Sequence, residues 1–289
     1  MKRLLGPDKK VTNVILVSGS TGNVGGELVR LLAAGGHPVR GLVRSLGRSE
    51  LPLGVDSAAG DLNRPETLAA PLAGVRGLFL LSGYKDMPGI LGEARRAGVE
   101  RVVLLSGRSA TLDPSNDAIT HYIVGSENAV HESGIAWTML RPCGFMSNAL
   151  QWAAQIRSEG VVHAAFAGVR TASIDPFDIA AVAARALLGP GHGGRVYNLS
   201  GPESLLAADR VRILAEVLDR PIRFQAQNDA EAWAEMSQSM PAEYVRAFFS
   251  FFSEGKLDES AVFPTVQEVT GQPPHTFEQW ATAHAAAFR

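Results

Sequence analysis

The sequence predicts an α/β fold, a doubly wound parallel sheet with a smaller, mainly helical C-terminal lobe. Short apolar runs such as Val14–Val17 recur along the first half of the chain, as expected for strands buried on both faces of a parallel sheet. Stretches with helical periodicity separate these runs, a pattern typical of βαβ units. A glycine-rich turn joins the first apolar run to the first helix.

The elements of the first half follow in chain order from these patterns. Predicted strands cover Val14–Val17, Val39–Val43, Val55–Ala58 (weakly), Leu78–Leu81, Val102–Leu105 and Trp137–Leu140. Predicted helices carry Val24, Leu28, Leu31 and Leu32 on one face, then Ile90, Leu91, Ala94 and Ala97, and a third runs from Ala118 to Glu132. Glycines stop the first and third helices, at Gly35-Gly36 and after Ser133.

The regular alternation of predicted strands and helices ends after Pro142. Helices are predicted at Ala149–Ser158, Ile179–Leu188, Ala207–Leu218 and Ala230–Phe252, with strands at Val161-Val162 and Arg195–Leu199 and an alanine-rich helix at the end. We expect residues 11–150 to form the sheet domain and residues 151–289 the lobe, with the strand at 195–199 returning to the sheet edge.

Composition narrows the class of protein. The chain has 289 residues, of which 46% are hydrophobic and 19% charged, values of an ordinary globular protein. Its net charge of −2 offers no basic footprint for nucleic acid. The single cysteine, Cys143, excludes an intrachain disulfide framework, and no apolar run reaches the length of a membrane span. We therefore expect a cytoplasmic protein whose first ten residues form a loose tail, since Gly6 and Pro7 interrupt any signal-like start.

The glycine turn indicates a dinucleotide site. Gly19, Gly22 and Gly25 have the spacing G-x-x-G-x-x-G between a predicted strand and a predicted helix. Such a turn lets the backbone approach a pyrophosphate closely and directs the helix N-terminal amides at it. The alternative is a strand–turn–helix that holds no ligand.

The end of the second strand favours NADP over NAD. NAD-selective folds usually place an acid there, but this strand ends at Arg44, with Arg40 and Arg48 nearby and no acid before Glu50. The guanidinium of Arg44 matches a 2′-phosphate, which a carboxylate would repel, whereas Arg40 and Arg48 could be surface residues in water. Asp61 and Leu62 would border the adenine, unless Asp61 caps a helix near Pro65. Ser82 and Ser106 end the fourth and fifth strands and face the same crevice, or are only turn residues.

The catalytic pair usual on such folds, Tyr-x-x-x-Lys, is absent. Its spacing places both side chains on one helix face, where the ammonium lowers the phenol pKa. The residues four beyond the tyrosines are Pro88, Ser126, Gly201 and Phe248. His121 and Tyr122 begin the helix after Ser106, so either could act as a general acid, or be a solvated or packed residue.

The remaining histidine, aspartate and aromatic residues have structural interpretations or weak functional ones. The seven histidines show no metal-ligand spacing, so no metal site is predicted. Asp175-Pro176 is interpreted as a helix N-cap, with Asp178 at the positive helix start. The aromatic set Phe248, Phe249, Phe251 and Phe252 is expected to be lobe core, or in part to line a ring-accepting pocket with Phe145, Met146 and Trp152.

Several motifs together resemble the NmrA-like group of atypical short-chain dehydrogenases. They are Ser18–Gly25, Gly60-Asp61-Leu62, Ser133–Pro142, Ile174–Ala180, Gly201-Pro202-Glu203 and Thr276–Ala281. The resemblance implies a Rossmann core with a smaller C-terminal lobe and NADP(H) as cofactor. The resemblance further implies that the pyrophosphate lies against the turn formed by Gly19, Ser20, Thr21, Gly22, Asn23, Val24 and Gly25. It places Arg44 at the 2′-phosphate, and Asp61 and Leu62 at the adenine. It places Leu81, Ser82 and Ser106 at the nicotinamide ribose, and Pro142 and Phe145 at the nicotinamide ring. Several relatives carry a lysine four residues before the glutamate that matches Glu127, where this chain has Ile123.

The leading hypothesis is an NADPH-dependent reductase or tailoring enzyme for an aromatic or quinone-like small molecule. Its substrate would lie against Phe145, Met146, Asn148 and Trp152, with water, Ser106, His121 or Tyr122 as proton source. One rival is an NADP-binding redox sensor of the NmrA type, without turnover, whose lobe binds a protein partner. Another is an isomerase or lyase that uses the bound cofactor transiently.

Overall fold

The computed structural model describes residues 13–46, 51–115 and 117–289. The expected N-terminal tail and Arg48 lie outside these residues. No helix of the described ranges combines the length and the apolar character that crossing a membrane requires.

Nine strands are present, and seven of them form one parallel sheet in the described residues. Their bounds are Val14–Val17 (β1), Val39–Val43 (β2), Asp56–Ala59 (β3), Val75–Leu81 (β4), Arg101–Leu105 (β5), Ala136–Pro142 (β6), Val161–Ala164 (β7), Arg195–Leu199 (β8) and Arg223–Ala226 (β9). The large sheet has the order β3-β2-β1-β4-β5-β6-β8. The order reverses between β1 and β4, so a ligand crevice is expected outside their carboxyl ends.

Helices cover both faces of this sheet. Their bounds are Asn23–Ala34 (α1), Met87–Arg96 (α2), Ala118–Glu132 (α3), Ala153–Glu159 (α4), Pro176–Leu188 (α5), Ala207–Leu218 (α6), Asp229–Met236 (α7), Ala242–Phe252 (α8), Thr265–Thr270 (α9) and Phe277–Ala283 (α10). Helices α1 and α5 pack on one face with Leu28 and Ile179 fully buried, and α2 and α3 pack on the other with Ile90 and Val130. Each such side chain contributes about 2 kcal/mol of burial. The predicted fold class is confirmed.

The C-terminal residues form two further apolar clusters. Helices α4, α6 and α10 pack with the small parallel pair β7-β9 around Trp280 and Phe277. Helix α8 instead packs over Leu112 and Ile119, at the start of α3, through Phe251. The lobe therefore reaches across the carboxyl ends of the sheet strands. The predicted boundary near residue 150 stays a prediction.

The structure differs from the sequence prediction mainly in the lobe. The single helix predicted over Ala230–Phe252 is two helices, because α7 ends at Met236 and Pro241 stands at the N-cap of α8. Proline lacks the backbone N–H that a continuous helix would need there. Strand β9 and helix α9 were not predicted, since both are short and neither has a clear periodic pattern.

Candidate functional site

The glycine turn after β1 fits a dinucleotide. Gly19 has φ of +61°, and its carbonyl oxygen accepts a hydrogen bond from the Gly22 N–H at 2.9 Å. A Cβ on Gly25 would lie 2.2 Å from that oxygen, so no side chain fits there. Helix α1 has Gly22 as N-cap, without a side-chain cap or an acid in its first turn. Its first N–H groups are therefore available to an anion.

The other residues of the turn have distinct positions. Ser20 is buried and donates to the Leu42 carbonyl at 3.0 Å, so it anchors the turn to β2. Val24 is also buried, whereas Thr21 and Asn23 are exposed. Asn23 Nδ2 donates to Ser147 Oγ at 3.1 Å and ties the turn to the segment after β6. Leu81 lies across the turn, since a Cβ on Gly19 would meet its Cδ1 at 2.7 Å.

Arg44 and Asp61 lie at the ends of β2 and β3, on the side predicted for the adenosine. Arg44 is exposed, and Asp61 Oδ1 accepts from the Asn63 N–H at 2.9 Å. Tyr84, which the sequence did not single out, lies close to Arg44 and Asp61. Burial raises the pKa of the Tyr84 phenol, the Arg44 charge lowers this pKa, and the Asp61 charge raises it. Leu62 is 7% exposed and belongs to the core beneath.

A buried charged network lies at the carboxyl end of β5. Ser106 Oγ donates to Glu127 Oε1 at 2.5 Å, and Arg141 holds the same carboxylate through two hydrogen bonds, of 2.9 and 2.5 Å. Glu127 is 5% exposed and Ser106 7%. The Ser106 proton is therefore engaged by Glu127, and its lone pairs remain for the crevice. Sequence reasoning found Ser106 but assigned no role to Glu127 or Arg141.

Tyr122 also lies at the crevice, next to β4. Gly83 has φ of +91°, and a Cβ there would lie 3.1 Å from Tyr122 Cδ2, so the phenol ring covers this glycine. The Tyr122 ring meets the Tyr244 ring edge-on at 6.3 Å between centroids. Burial raises the pKa of Tyr122, and Tyr244 and Asp117 raise it further. The phenol is therefore neutral near pH 7.

Ser82, Pro142 and Phe145 follow the ends of β4 and β6. The Ser82 N–H donates to the Leu105 carbonyl at 3.3 Å, and this hydrogen bond extends the pairing of β4 with β5 by one residue. Pro142 is buried, and Phe145 is half-buried and packs against the α1–α5 core. These residues, Ser106 and the glycine turn share one edge of the sheet. Such an edge is where a nicotinamide dinucleotide lies on this kind of fold.

Comparison with known proteins assigns the family. Residues 19–190 match the family described as NAD(P)H-binding. A (4-alkanoyl-5-oxo-2,5-dihydrofuran-3-yl)methyl phosphate reductase of Streptomyces griseus is 39% identical over 280 residues, 95% of this chain and 99% of its own length. The chain belongs to this NAD(P)H-binding family. The resemblance to NmrA-like short-chain dehydrogenases and the prediction of NADP(H) as cofactor are confirmed.

A further relative and two solved structures are similar to nearly the whole chain. An NAD(P)H azoreductase of Xenophilus azovorans is 37% identical over 284 residues, 95% of this chain and 99% of its own length. An NADPH-dependent quinone oxidoreductase of Escherichia coli, solved with NADPH, superposes with a TM-score of 0.77 at 23% identity, covering 94% and 99% of the two chains. A triphenylmethane reductase of Citrobacter sp., solved with NADP(H), gives 0.74 at 23% identity and the same coverage. The two superpositions show the shared fold.

Two predicted substrate residues lie inside the lobe of this NmrA-like chain. Met146 is 1% exposed and Trp152 4%, and both pack in the cluster that contains Trp280. Neither therefore presents a surface to the crevice, because the 3₁₀ segment that carries them turns these side chains towards α6. Asn148, on the same segment, is exposed.

His121 stands apart from the network at Ser106. It is exposed, as are Gly125 and Asn128 further along α3, whereas Tyr122 and Glu127 are turned inward. The roles predicted for His121, Tyr122 and Ser106 stay predictions, and the geometry favours Tyr122 and Ser106.

Aromatic side chains of α8, the aromatic wall, lie on the helix whose Tyr244 contacts Tyr122 at the crevice. Phe249 and Phe252 meet Phe166 at 5.2 and 5.3 Å between ring centroids, and Phe248 stacks on Phe252 at 6.2 Å. Phe248, Phe249 and Phe252 are half-buried, whereas Phe251 is core. Phe166 has φ of +54°, a strained conformation for an aromatic residue. The half-buried members can contact a flat ligand.

Asp175 and Asp178 have the predicted structural roles. Asp175 caps α5 by accepting from the Phe177 N–H at 2.9 Å, and Asp178 accepts from the His275 N–H at 2.8 Å. Burial raises the pKa of Asp178 to about 6. A cavity of about 690 Å³ beside them lies between α1, α5 and residues 270–279, away from the strand ends. Among the residues that the structure describes, no cluster of three metal-ligating side chains occurs.

Proposed function

We propose that this protein is an NADPH-dependent reductase that transfers a hydride to a flat, conjugated, electron-poor small molecule. The observation that carries the proposal is the juxtaposition of the Ser106–Glu127–Arg141 network with Tyr122 and the α8 aromatic wall, at the end of the crevice where the nicotinamide belongs. When bound, NADPH supplies the hydride. The relatives named above reduce azo compounds and an unsaturated lactone, as their names state, and both are conjugated acceptors.

A conjugated acceptor suits a site that lacks the Tyr-x-x-x-Lys pair. Hydride addition to a quinone or an unsaturated lactone places the negative charge in a delocalised oxyanion, which needs less stabilisation than the alkoxide from a simple ketone. Helix α3 has Ile123 at the position of the missing lysine, and Ile123 is 6% exposed. An apolar side chain there supplies no ammonium to lower the pKa of a catalytic phenol.

Tyr122 is proposed to donate a hydrogen bond to the developing oxyanion. It is a neutral phenol in a desolvated setting, held over Gly83 and against Tyr244. Ser106, with its proton directed at Glu127, is proposed to accept a hydrogen bond from the cofactor or substrate and so to orient it. Arg141 neutralises Glu127, which lets a carboxylate lie at this depth without an unpaired charge.

The test is NADPH consumption with two acceptors. We expect sustained loss of NADPH absorbance with a benzoquinone and with a 4-acyl-butenolide methyl phosphate, and a lower kcat for Tyr122→Phe, whose ring keeps the packing. His121→Ala serves as the matched control, because His121 lies on the exposed side of the same helix turn, and its kcat should be unchanged. Tight NADPH binding without turnover on either acceptor would contradict the proposal and support the redox-sensor alternative.

A further inference from the structure

The cavity of about 690 Å³ on the α1–α5 face of the sheet has the size of a small-molecule site. Leu31 and Leu32 of α1 and Ala181 of α5 contribute to its apolar wall, and residues 270–279 border it on a third side. Small-molecule sites have volumes of about 300–1,000 Å³ and are mostly apolar, with a few polar groups that orient the ligand. The cavity lies away from the strand ends, so the reductase proposal does not use it.

One polar group of the cavity wall is a deeply buried carboxylate. Asp178 lines the cavity and is 4% exposed. Its Oδ2 accepts a hydrogen bond from the His275 N–H at 2.8 Å. Its Oδ1 accepts none from the residues that the structure describes: it lies 3.5 Å from His275 Nδ1, which is hydrogen-bonded to Asp175 Oδ2 at 3.0 Å. A carboxylate buried this far needs donors for both oxygens, so Oδ1 is available to an occupant of the cavity.

The groups around Asp178 favour a cation as that occupant. Asp175, the N-cap of α5, is 7% exposed and adds a second acid at the same helix end. Phe177 lies between the two acids in the chain and also lines the cavity, and its ring is half-buried. An aromatic face attracts a cation, and a neighbouring carboxylate strengthens that attraction. This end of the cavity therefore combines the two features that bind an ammonium group.

The basic side chains of the wall lie farther from the carboxylate. Arg185 is seven residues beyond Asp178 on α5, which is about 10 Å along the helix axis. It is exposed, and its Nη2 donates to the Thr270 carbonyl at 3.4 Å. His37 follows α1 and is exposed. An ammonium group at Asp178 is therefore not opposed by a cation at the same depth.

We propose that this cavity binds an amphiphilic amine, with its ammonium group at Asp178 Oδ1 beside Phe177 and its aromatic or alkyl body between α1 and α5. The inference goes beyond the proposed reductase function, because the cavity lies on the α1–α5 face and not at the strand ends. The ammonium group donates a charge-assisted hydrogen bond to the carboxylate. The apolar body removes the half-buried surfaces of Leu31 and Ala181 from water.

Amine binding depends on the ionisation of Asp178. Burial raises the pKa of Asp178 to about 6; the His275 N–H and the His275 charge lower it, and the Asp175 charge raises it. Arg185 and His37 are the other titratable groups on the cavity wall. An alkylammonium group keeps its proton up to about pH 9, as lysine does. Amine affinity should therefore rise about tenfold between about pH 5 and about pH 7, because the amine binds the ionised carboxylate.

The experiment is isothermal titration calorimetry with phenethylamine and tryptamine. NADP⁺ is present at saturation, so that the glycine turn is occupied. Phenethyl alcohol and hydrocinnamate are the ligand controls, because they carry a benzene ring with a neutral or an anionic end group. At pH 7 we expect both amines to bind about tenfold or more tightly than either control, since only the amines supply a charge-assisted hydrogen bond to the carboxylate.

Asp178→Asn tests the carboxylate. We expect it to weaken amine binding about tenfold or more, to remove the pH dependence and to leave the affinity for phenethyl alcohol unchanged. The amide oxygen can still accept from the His275 N–H, so the contact that holds residue 275 to α5 is kept. Glu268→Gln is the matched control, because it removes one charge from an exposed residue of α9, the helix that ends at Thr270. Its amine affinity should change less than about twofold.

Ala181→Leu tests the cavity without changing a charge. Ala181 is half-buried on the cavity wall, so a larger side chain there occupies the space of the ligand body. We expect binding of both amines to weaken about tenfold or more. Ala34→Leu, at an exposed position of α1, is the control and should leave binding unchanged. This pair decides the question if Asp178→Asn fails to fold.

The outcomes separate the amine site from the reductase. Amine affinity that is unchanged in folded Asp178→Asn or in Ala181→Leu overturns the site, as does hydrocinnamate binding more tightly than the amines. The absence of saturable heat with both amines overturns it as well. None of these results depends on hydride transfer. Carboxylate-dependent amine binding without NADPH turnover keeps the site and rejects the reductase, and turnover without amine binding does the reverse.

Discussion

The bidentate pair between Arg141 and Glu127 allows a quantitative test of the network at Ser106. Replacing Arg141 by Met removes the guanidinium but keeps an unbranched apolar stem. Glu127 is then left 5% exposed, with the Ser106 hydroxyl as its remaining hydrogen-bond partner among the contacts described. A buried carboxylate without its counter-ion is strongly unfavourable.

The magnitude follows from the geometry. Two unit charges about 4 Å apart attract by roughly 4 kcal/mol at an effective dielectric constant of about 20. The Arg141 side chain is 19% exposed and that of Glu127 6%, so solvent screens this pair little. Breaking a buried pair from one side costs about 3–5 kcal/mol. For a chain of 289 residues the entropy of unfolding is about 0.6 kcal/mol/K, so we expect the Tm to fall by roughly 5–8 °C.

The assay is urea and thermal unfolding of the wild type, Arg141→Met, Glu127→Gln and the double variant at pH 7. We expect the double variant to lose less free energy of unfolding than the sum of the two single variants, by at least about 1 kcal/mol. Arg141→Met within about 0.5 kcal/mol of the wild type, or a strictly additive cycle, would refute the interpretation of a buried, mutually compensating pair.

Three further predictions concern the cofactor and pH. Gly25→Ala should abolish NADPH binding in a fluorescence titration, because the new Cβ would lie 2.2 Å from the Gly19 carbonyl oxygen. Gly125→Ala is the control and should leave binding unchanged, because a Cβ at Gly125 has no neighbouring atom within 4 Å. Arg44→Asp should lower affinity for NADPH about tenfold or more relative to NADH, and an unchanged ratio of the two affinities rejects Arg44 as the 2′-phosphate ligand. The contribution of Asp178 to the free energy of unfolding should decline as the pH rises from about 4 to about 6, since burial raises its folded-state pKa to about 6 and the folded state then holds a proton that the unfolded state releases. Asp178→Asn should flatten this decline in a pH series of urea titrations.

The sheet half of the chain could be predicted from the sequence because its signals are local. The apolar run of β1, the arginine that follows β2 and the helix stop at Gly35 each depend on a few neighbouring residues. The predicted bounds of β2 and α3 agree with the structure. The right-handed crossover rule fixes the hand of each βαβ connection, whereas the strand order β3-β2-β1-β4-β5-β6-β8 was not predicted from the sequence.

The site was less predictable, because its decisive contacts join distant parts of the chain. Glu127 and Arg141 are 14 residues apart and face each other only when α3 packs on β6. Glu259 lies 115 residues beyond Gly144, whose N–H donates to its carboxylate, and no local pattern marks it. Met146 and Trp152 were predicted at the pocket from their apolar character, which a lobe core satisfies equally well.

Residues 257–264 connect the two faces of the sheet. They leave the α8 cluster at Leu257, and the Phe263 N–H donates to Ser200 Oγ at 2.8 Å before the chain enters α9 beside α5. Detaching residues 257–264 would expose apolar surface at both clusters at once, which couples the loosening of α8 to that of α9. Cooperative unfolding is the consequence: native-state amide exchange in α9, which lies away from the crevice, should slow together with that in α8 when NADPH binds.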